Sequence, residues 1–233
     1  MSKEKPGTVI VTGGGRGIGA EVVQLFAQAG HNVLFTYASK PHRAQEVVDR
    51  CAPFGVKVVA VQADVRDPML ATAVVEQAQR LSAVIGLVNN AGITSRIGSF
   101  LDVDIETMRD VLDVNVLGTM VMCQAVVRDW VARGASGSIV NVSSIAATLG
   151  SPGEYIHYAG SKAAVEGFTI GLAKEFADRG IRANVVSPGT TDTEIHALSG
   201  EPGRAERVAP KIPMRRAGDP REIAEAIAWM LSD

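Results

Sequence analysis

A single doubly wound α/β domain, a parallel sheet with helices on both faces, is the fold class this sequence predicts, on three observations. Six short apolar runs alternate with helix-length segments. The runs are nearly continuous in Val, Ile and Leu, which suits strands buried on both faces. No low-complexity linker or internal repeat divides the 233 residues, so 1–233 reads as one domain.

The elements follow in order. TVIVT is the first strand, and helix 17–29 follows it, closed by Gly30. NVLFTY is the second strand, leading to helix 41–52 with Pro41 near its start. VKVVAVQ is the third, after which Asp67-Pro68 opens helix 67–81. IGLVN precedes a long helix over 104–133, and GSIVNVS precedes helix 155–179, which ends at Gly180. RANVVS is the sixth strand, and REIAEAIAWML is a final helix. Between them, 190–218 breaks the rhythm. It is rich in Pro, Gly and charge, which predicts a substrate loop or lid.

Composition narrows the function. With 46% apolar and 21% charged residues the chain is of ordinary globular type. A formal charge of −2 and a pI near 6.1 give no basic footprint for nucleic acid or an anionic membrane. Cys51 and Cys123 lie far apart with no CxxC spacing or histidine cluster nearby, so neither a disulfide framework nor a metal site is expected. No apolar run of signal-peptide length follows the N-terminal charges, and nowhere do eighteen apolar residues run together. The expectation is a cytoplasmic protein without a membrane span.

Two motifs carry chemistry. Tyr158 and Lys162 stand four apart in a predicted helix, which brings their Cβ atoms to about 5–6 Å. One positive charge at ~5 Å, at an effective dielectric near 20, stabilises a phenolate by about 3 kcal/mol. That is most of the roughly 4 kcal/mol needed to bring a phenol from a pKa of about 10 to neutrality. The pair therefore predicts a proton donor. The second motif is the turn after the first strand, running from Gly13 through Gly15, Arg16, Gly17 and Ile18 to Gly19 at the mouth of a helix. Backbone without Cβ can approach a pyrophosphate closely, and the helix N-terminus offers it free N–H groups. The spacing is TGxxxGxG rather than GxGxxG.

Cofactor choice turns on the end of the second strand, where users of NAD place an acidic residue for the ribose 2′-hydroxyl. Here the segment runs FTYASKPHR, and no carboxylate appears before Glu46. Ser39, Lys40 and Arg43, with Arg16 in the glycine turn, suit a 2′-phosphate instead, and Tyr37 is expected to bind the cofactor beside them. NADP(H) is predicted over NAD(H).

With these residues assembled, the chain resembles the short-chain dehydrogenase/reductase family from Thr8 to the final helix. TGGGRGIG, Asp64-Val65, the NNAG run at 89–92, Asn115, the serines of NVSS, YAGSK and the PG of SPGTTDT stand in family order. The resemblance implies a Rossmann-like fold and a mechanism. Tyr158 would give its proton to a carbonyl oxygen, and Lys162 would lower the tyrosine pKa and hold the nicotinamide ribose. Ser144, with Ser143 as the fallback, would bond the substrate oxygen. Asn115 would hold a water that returns the proton through Lys162. Asp64 and Val65 would flank the adenine, and Asn90, Ala91 and Gly92 would pass the adenosine ribose. Pro188, Gly189, Thr191 and Thr193 would face the carboxamide. His157 and His196 are expected to line the substrate pocket at most.

The implied function is NADPH-dependent reduction of a small-molecule ketone or 3-oxoacyl thioester by a homo-oligomer, a dimer or tetramer. NADP-dependent oxidation of sugars or polyols is the alternative within the family. A catalytically silent cofactor-binding regulator and a methyltransferase are the alternatives outside it. Arg128, Arg133 and Lys174 could dock an acidic acyl carrier protein. Family members usually continue into one more strand ending in a glycine pair. This chain stops at LSD, which puts a tetramer in question.

Overall fold

A computed structural model describes residues 6–232. Its strands are β1 (Thr8–Thr12), β2 (Asn32–Tyr37), β3 (Val58–Gln62), β4 (Val84–Asn89), β5 (Gly137–Val142) and β6 (Ile181–Val186). They form one sheet in the order β3-β2-β1-β4-β5-β6, and every pairing is parallel. This is the predicted doubly wound architecture. Alternate residues along each strand point to opposite faces. Val9, Val11, Val33, Phe35, Val88 and Val140 therefore pack against helices α1 (Gly17–Gln28), α2 (Pro41–Cys51) and a later helix at Pro220–Leu231. Ile10, Leu34, Leu87 and Ile139 face the other way, toward α3 (Pro68–Gln79) and the 118–133 segment with Trp130 at its centre. The Trp130 indole N–H donates to the Val84 carbonyl at 2.7 Å, so this large ring is buried without an orphaned donor.

The helix expected over 104–133 is interrupted. It divides into α4 (Ile105–Leu112), a π-helical turn at Asp113–Leu117 and α5 (Gly118–Arg133). Over this stretch an 18-residue window has a mean hydropathy of 1.4, long and apolar enough by composition to cross a bilayer. Its buried residues Met122, Cys123, Val126 and Val127 pack on the sheet. After β5 a short α6 (Ala146–Leu149) precedes the 21-residue α7 (Ile156–Phe176), whose end continues into a 3-10 turn at Ala177–Arg179.

The expected lid at 190–218 is partly helical, with α8 (Ile195–Leu198), α9 (Arg204–Val208) and a 3-10 turn at Ala209–Lys211. Neither helix is long enough to show a period in the sequence. The last helix, α10 (Pro220–Leu231), opens with a capping box between Asp219 and Glu222. At its other end the Arg182 guanidinium from β6 donates to the carbonyls of Met230, Leu231 and Ser232, where the helix dipole favours a cation.

Candidate active site

Strand β1 lies between β2 and β4, so the chain leaves it in opposite directions and opens a crevice at the carboxyl ends of the strands. A cleft of about 840 Å³ occupies this place. Of the predicted residues, Gly13, Gly15, Arg16, Gly17, Ile18, Tyr37, Ser39, Lys40, Asp64 and Val65 line it. So do Asn90, Ala91, Gly92, Ser144, Tyr158, Lys162, Pro188, Gly189, Thr191 and Thr193. Gly19 and Asn115 do not.

The glycine turn is built for close approach. Gly13 takes φ +67, and an added Cβ there would stand 2.9 Å from the Ala91 Cα. Gly19 lies behind the turn, where a Cβ would meet the Gly13 carbonyl oxygen at 2.3 Å and the Asn90 amide nitrogen at 2.5 Å. Its work is packing rather than contact with a ligand. The Asn90 side chain donates to the carbonyls of Thr12 and Gly13, at 3.2 and 3.0 Å, and so clamps the turn to β4. At α1, Arg16 occupies the N-cap position with no side-chain cap, which leaves the first-turn N–H groups free of any side-chain acceptor at the cap. A glycine cradle with an uncapped helix N-terminus fits a pyrophosphate.

Beyond the end of β2 the wall is cationic. Lys40 sits in left-handed backbone at φ 64 as the N-cap of α2, beside Ser39 and near Arg43. Arg43 holds only loose ion pairs, 3.7 Å to Glu46 and 3.9 Å to Glu194. At the adenine end, Arg66 grips Asp64 with its Nε at 3.0–3.1 Å and Nη2 at 2.6 Å, and reaches Asp110 at 3.1 Å. This guanidinium holds the Asp64 carboxyl below its usual range. Arg66 lines the cleft, and no motif had marked it.

The catalytic end is set by β5 and α7. Ser143 is turned inward, its hydroxyl donating to the Lys162 carbonyl at 3.2 Å and to Glu166 at 2.8 Å. Ser144 lines the cleft with its Oγ accepting from the Ala146 N–H at 3.1 Å, and it pulls the Tyr158 pKa downward, whereas the Ser143 hydroxyl is taken up by Lys162 and Glu166. Lys162 is buried, donates from Nζ to the Val142 carbonyl at 2.8 Å and stands 5.7 Å from the centre of the Tyr158 ring. Burial brings its pKa down to about 8. Gly92 is needed here for room, because a Cβ would lie 3.2 Å from Asn115 Oδ1 and 3.5 Å from Lys162 Nζ.

One expectation needs correction. Tyr158 is not lowered by Lys162. Burial raises the phenol above its ordinary value, against smaller downward pulls from the Ser144 hydrogen bond and the Arg204 charge. The Coulomb estimate left out desolvation of the phenolate, which dominates at a site this enclosed. Asn115 is fully buried in the π turn, and its amide nitrogen donates to the Ile93 carbonyl and Ser161 hydroxyl while its oxygen accepts from the Ile93 N–H. Both side-chain donors are committed, so Asn115 could meet a water only as an acceptor. The same bonds fix the segment after β4 against α7.

On the lid side, His196 lines the cleft with Nε2 2.9 Å from the Thr191 carbonyl, and burial depresses its pKa. His157 bonds Ser95 at 2.6 Å and is not a lining residue. Arg204 from α9 pairs with Glu154 at 2.5 Å and stacks over Tyr155 at 5.2 Å, while Tyr155 meets Tyr158 edge-on at 5.3 Å. Glu154, Tyr155 and Arg204 all line the cleft, and nothing in their spacing had marked them.

Comparison with known proteins agrees with this geometry. The family model described as Enoyl-(Acyl carrier protein) reductase matches residues 13–233. The chain is 44% identical over 230 residues to Uncharacterized oxidoreductase YgfF of Escherichia coli (strain K12), covering 96% of this chain and 92% of that one. It is 35% identical to 3-oxoacyl-[acyl-carrier-protein] reductase FabG of Staphylococcus aureus (strain N315), covering 97% and 91%. Among solved structures, ElxO with NADP bound superposes with a TM-score of 0.87 at 28% identity, covering 98% of this chain and 92% of that one.

Proposed function

The chain belongs to the short-chain dehydrogenase/reductase family, and on that premise we propose that it is an NADPH-dependent reductase of ketone or 3-oxoacyl carbonyls. The family makes it an oxidoreductase that takes a nicotinamide cofactor. One observation carries the finer reading. A single cleft joins Ser144, Tyr158 and Lys162 at one end to Arg16, Ser39, Lys40 and Arg43 at the other, and the end of β2 offers no carboxylate. The NADP held by ElxO and the acyl-carrier substrate in the name of FabG support the same choice.

When bound, the cofactor supplies the hydride. The protein's residues handle the proton and the oxygen. Burial keeps the Tyr158 phenol protonated at neutrality, the state required to donate to a carbonyl oxygen that gains charge. The Ser144 hydroxyl donates to the same oxygen and orients it. Lys162 keeps an ammonium beside the phenol below about pH 8 and stabilises the negative charge left there as the proton departs. Asp64, held by Arg66, and the Asn90–Gly92 main chain form the adenosine end. The enzyme works in the cytoplasm as a homo-oligomer, for which the exposed side chains of Leu112, Leu117 and Ile170 give apolar surface.

The test is a fluorescence titration with NADPH and NADH, followed by loss of 340 nm absorbance against ketones, diketones and 3-oxoacyl thioesters. Tighter binding of NADPH with turnover of a panel member is expected. Equal affinity for the two cofactors, or binding without oxidation of NADPH by any carbonyl, would sink the proposal.

A further inference from the structure

The lid carries a guanidinium that the reaction as described does not use. Arg204 is 11% exposed and lines the cleft. Its Nε and Nη2 both donate to one oxygen of Glu154, at 3.2 and 2.5 Å. The other Glu154 oxygen accepts from Arg207, which also pairs with Glu201. Nη1 of Arg204 has no protein partner among the described residues. Nη1 keeps access to solvent, so its acceptor is supplied by water or by a ligand in the cleft. Its place is fixed by the stack over Tyr155, which in turn packs against Tyr158. The free donor therefore stands one aromatic ring from the group that protonates the substrate.

Charge decides what it would accept. Two guanidiniums, Arg204 and Arg207, already face two carboxylates, Glu154 and Glu201. A substrate carboxylate arriving at Nη1 would meet a neutral quartet with Glu154 directly behind the guanidinium, and so would gain little for its own desolvation. An uncharged oxygen loses far less on entering and still receives a hydrogen bond from a charged donor.

We infer that Arg204 is a specificity-determining residue whose Nη1 hydrogen-bonds a second, uncharged carbonyl oxygen of the substrate, favouring dicarbonyl compounds such as 3-oxo esters and thioesters over simple ketones. This deepens the carbonyl-reductase reading and rests on it. Loss of one hydrogen bond to a charged donor corresponds to about a 10- to 100-fold change.

The experiment compares ethyl acetoacetate, acetoacetate and 2-pentanone on wild type, R204Q, R204K and E154Q. Two readouts are taken: kcat/KM with NADPH, and calorimetric binding to the unreactive complex with NADP⁺. Wild type is expected to prefer the ester to the ketone by about 10- to 100-fold. R204Q should collapse this ratio toward one, and R204K should restore part of it. E154Q breaks the same lid contact yet keeps the guanidinium, so it should slow all substrates while preserving the ratio. A ratio unmoved by R204Q, or moved equally by E154Q, would show a merely structural residue and overturn the inference. So would a preference for acetoacetate over the ester. If no carbonyl is turned over but the ester still binds selectively through Arg204, the reductase reading fails and the subsite stands. If no carbonyl binds, both fail.

Discussion

The two ends of the cleft are made from different material. At the cofactor end the main chain does most of the work, in a glycine turn, an uncapped helix N-terminus and the run Asn90–Gly92. At the substrate end side chains from three separate segments converge. Ser144 comes from the end of β5, Tyr155 and Tyr158 from the start of α7, and Arg204 from the lid. The contrast is also one of partners. Among the described residues Lys40 has no ion pair and Arg43 holds carboxylates only at 3.7 and 3.9 Å, which leaves cations available for a phosphate. Around Arg204 the charges are matched within the protein, so on the proposed reading that end would select by hydrogen bond and shape. A main-chain cradle can serve many enzymes unchanged, whereas the side-chain end is free to differ from one substrate to the next.

If the two ends are separable, damage to one should leave the other working. Tyr158→Phe removes the proton donor while keeping the ring that packs on Tyr155. Turnover should fall by about 10²- to 10⁴-fold, and NADPH affinity measured by fluorescence should stay as in wild type. Retained turnover would remove Tyr158 from the proton transfer. The converse variant joins Arg16→Ala with Lys40→Ala. Its NADPH dissociation constant should rise about 10- to 100-fold, with little change for NADH and little change in kcat at saturating cofactor. Equal losses for both cofactors would place the 2′-phosphate elsewhere.

The same division explains what could be read from the sequence. The strands, their alternation with helices and the glycine turn follow from periodicity and from residues with unusual backbone freedom, and these are local signals. Lys40 and Arg16 were legible because a missing carboxylate after Tyr37 is visible in the string. The π turn around Asn115 was not, since one extra residue inside an apolar helical stretch leaves the pattern almost intact. Arg204 and Glu154 lie fifty residues apart, in segments with no period, and only the folded lid brings them to 2.5 Å. Tyr158 was legible as a residue but the direction of its pKa shift was not, because helical spacing gives the distance to Lys162 but not the burial of both groups.

Lys162 stands where the two ends meet, and pH should reveal what its charge does. Burial lowers its pKa from 10.5 to about 8, so the folded protein holds the ammonium below that pH and loses it above. The Tyr158 phenol is shifted the other way, upward, and stays protonated through the same window. A decline in the reduction rate between pH 8 and 9 therefore belongs to the lysine and cannot come from loss of the tyrosine proton. kcat/KM for carbonyl reduction should be flat up to about pH 7, halve near pH 8 and lie about tenfold below the plateau by pH 9. Lys162→Arg, always charged in this range, should lower the plateau but abolish the falling limb. A wild-type profile that stays flat to pH 10 would mean that the ammonium holds its charge by some other contact, or that its charge is not needed once Ser144 has oriented the oxygen.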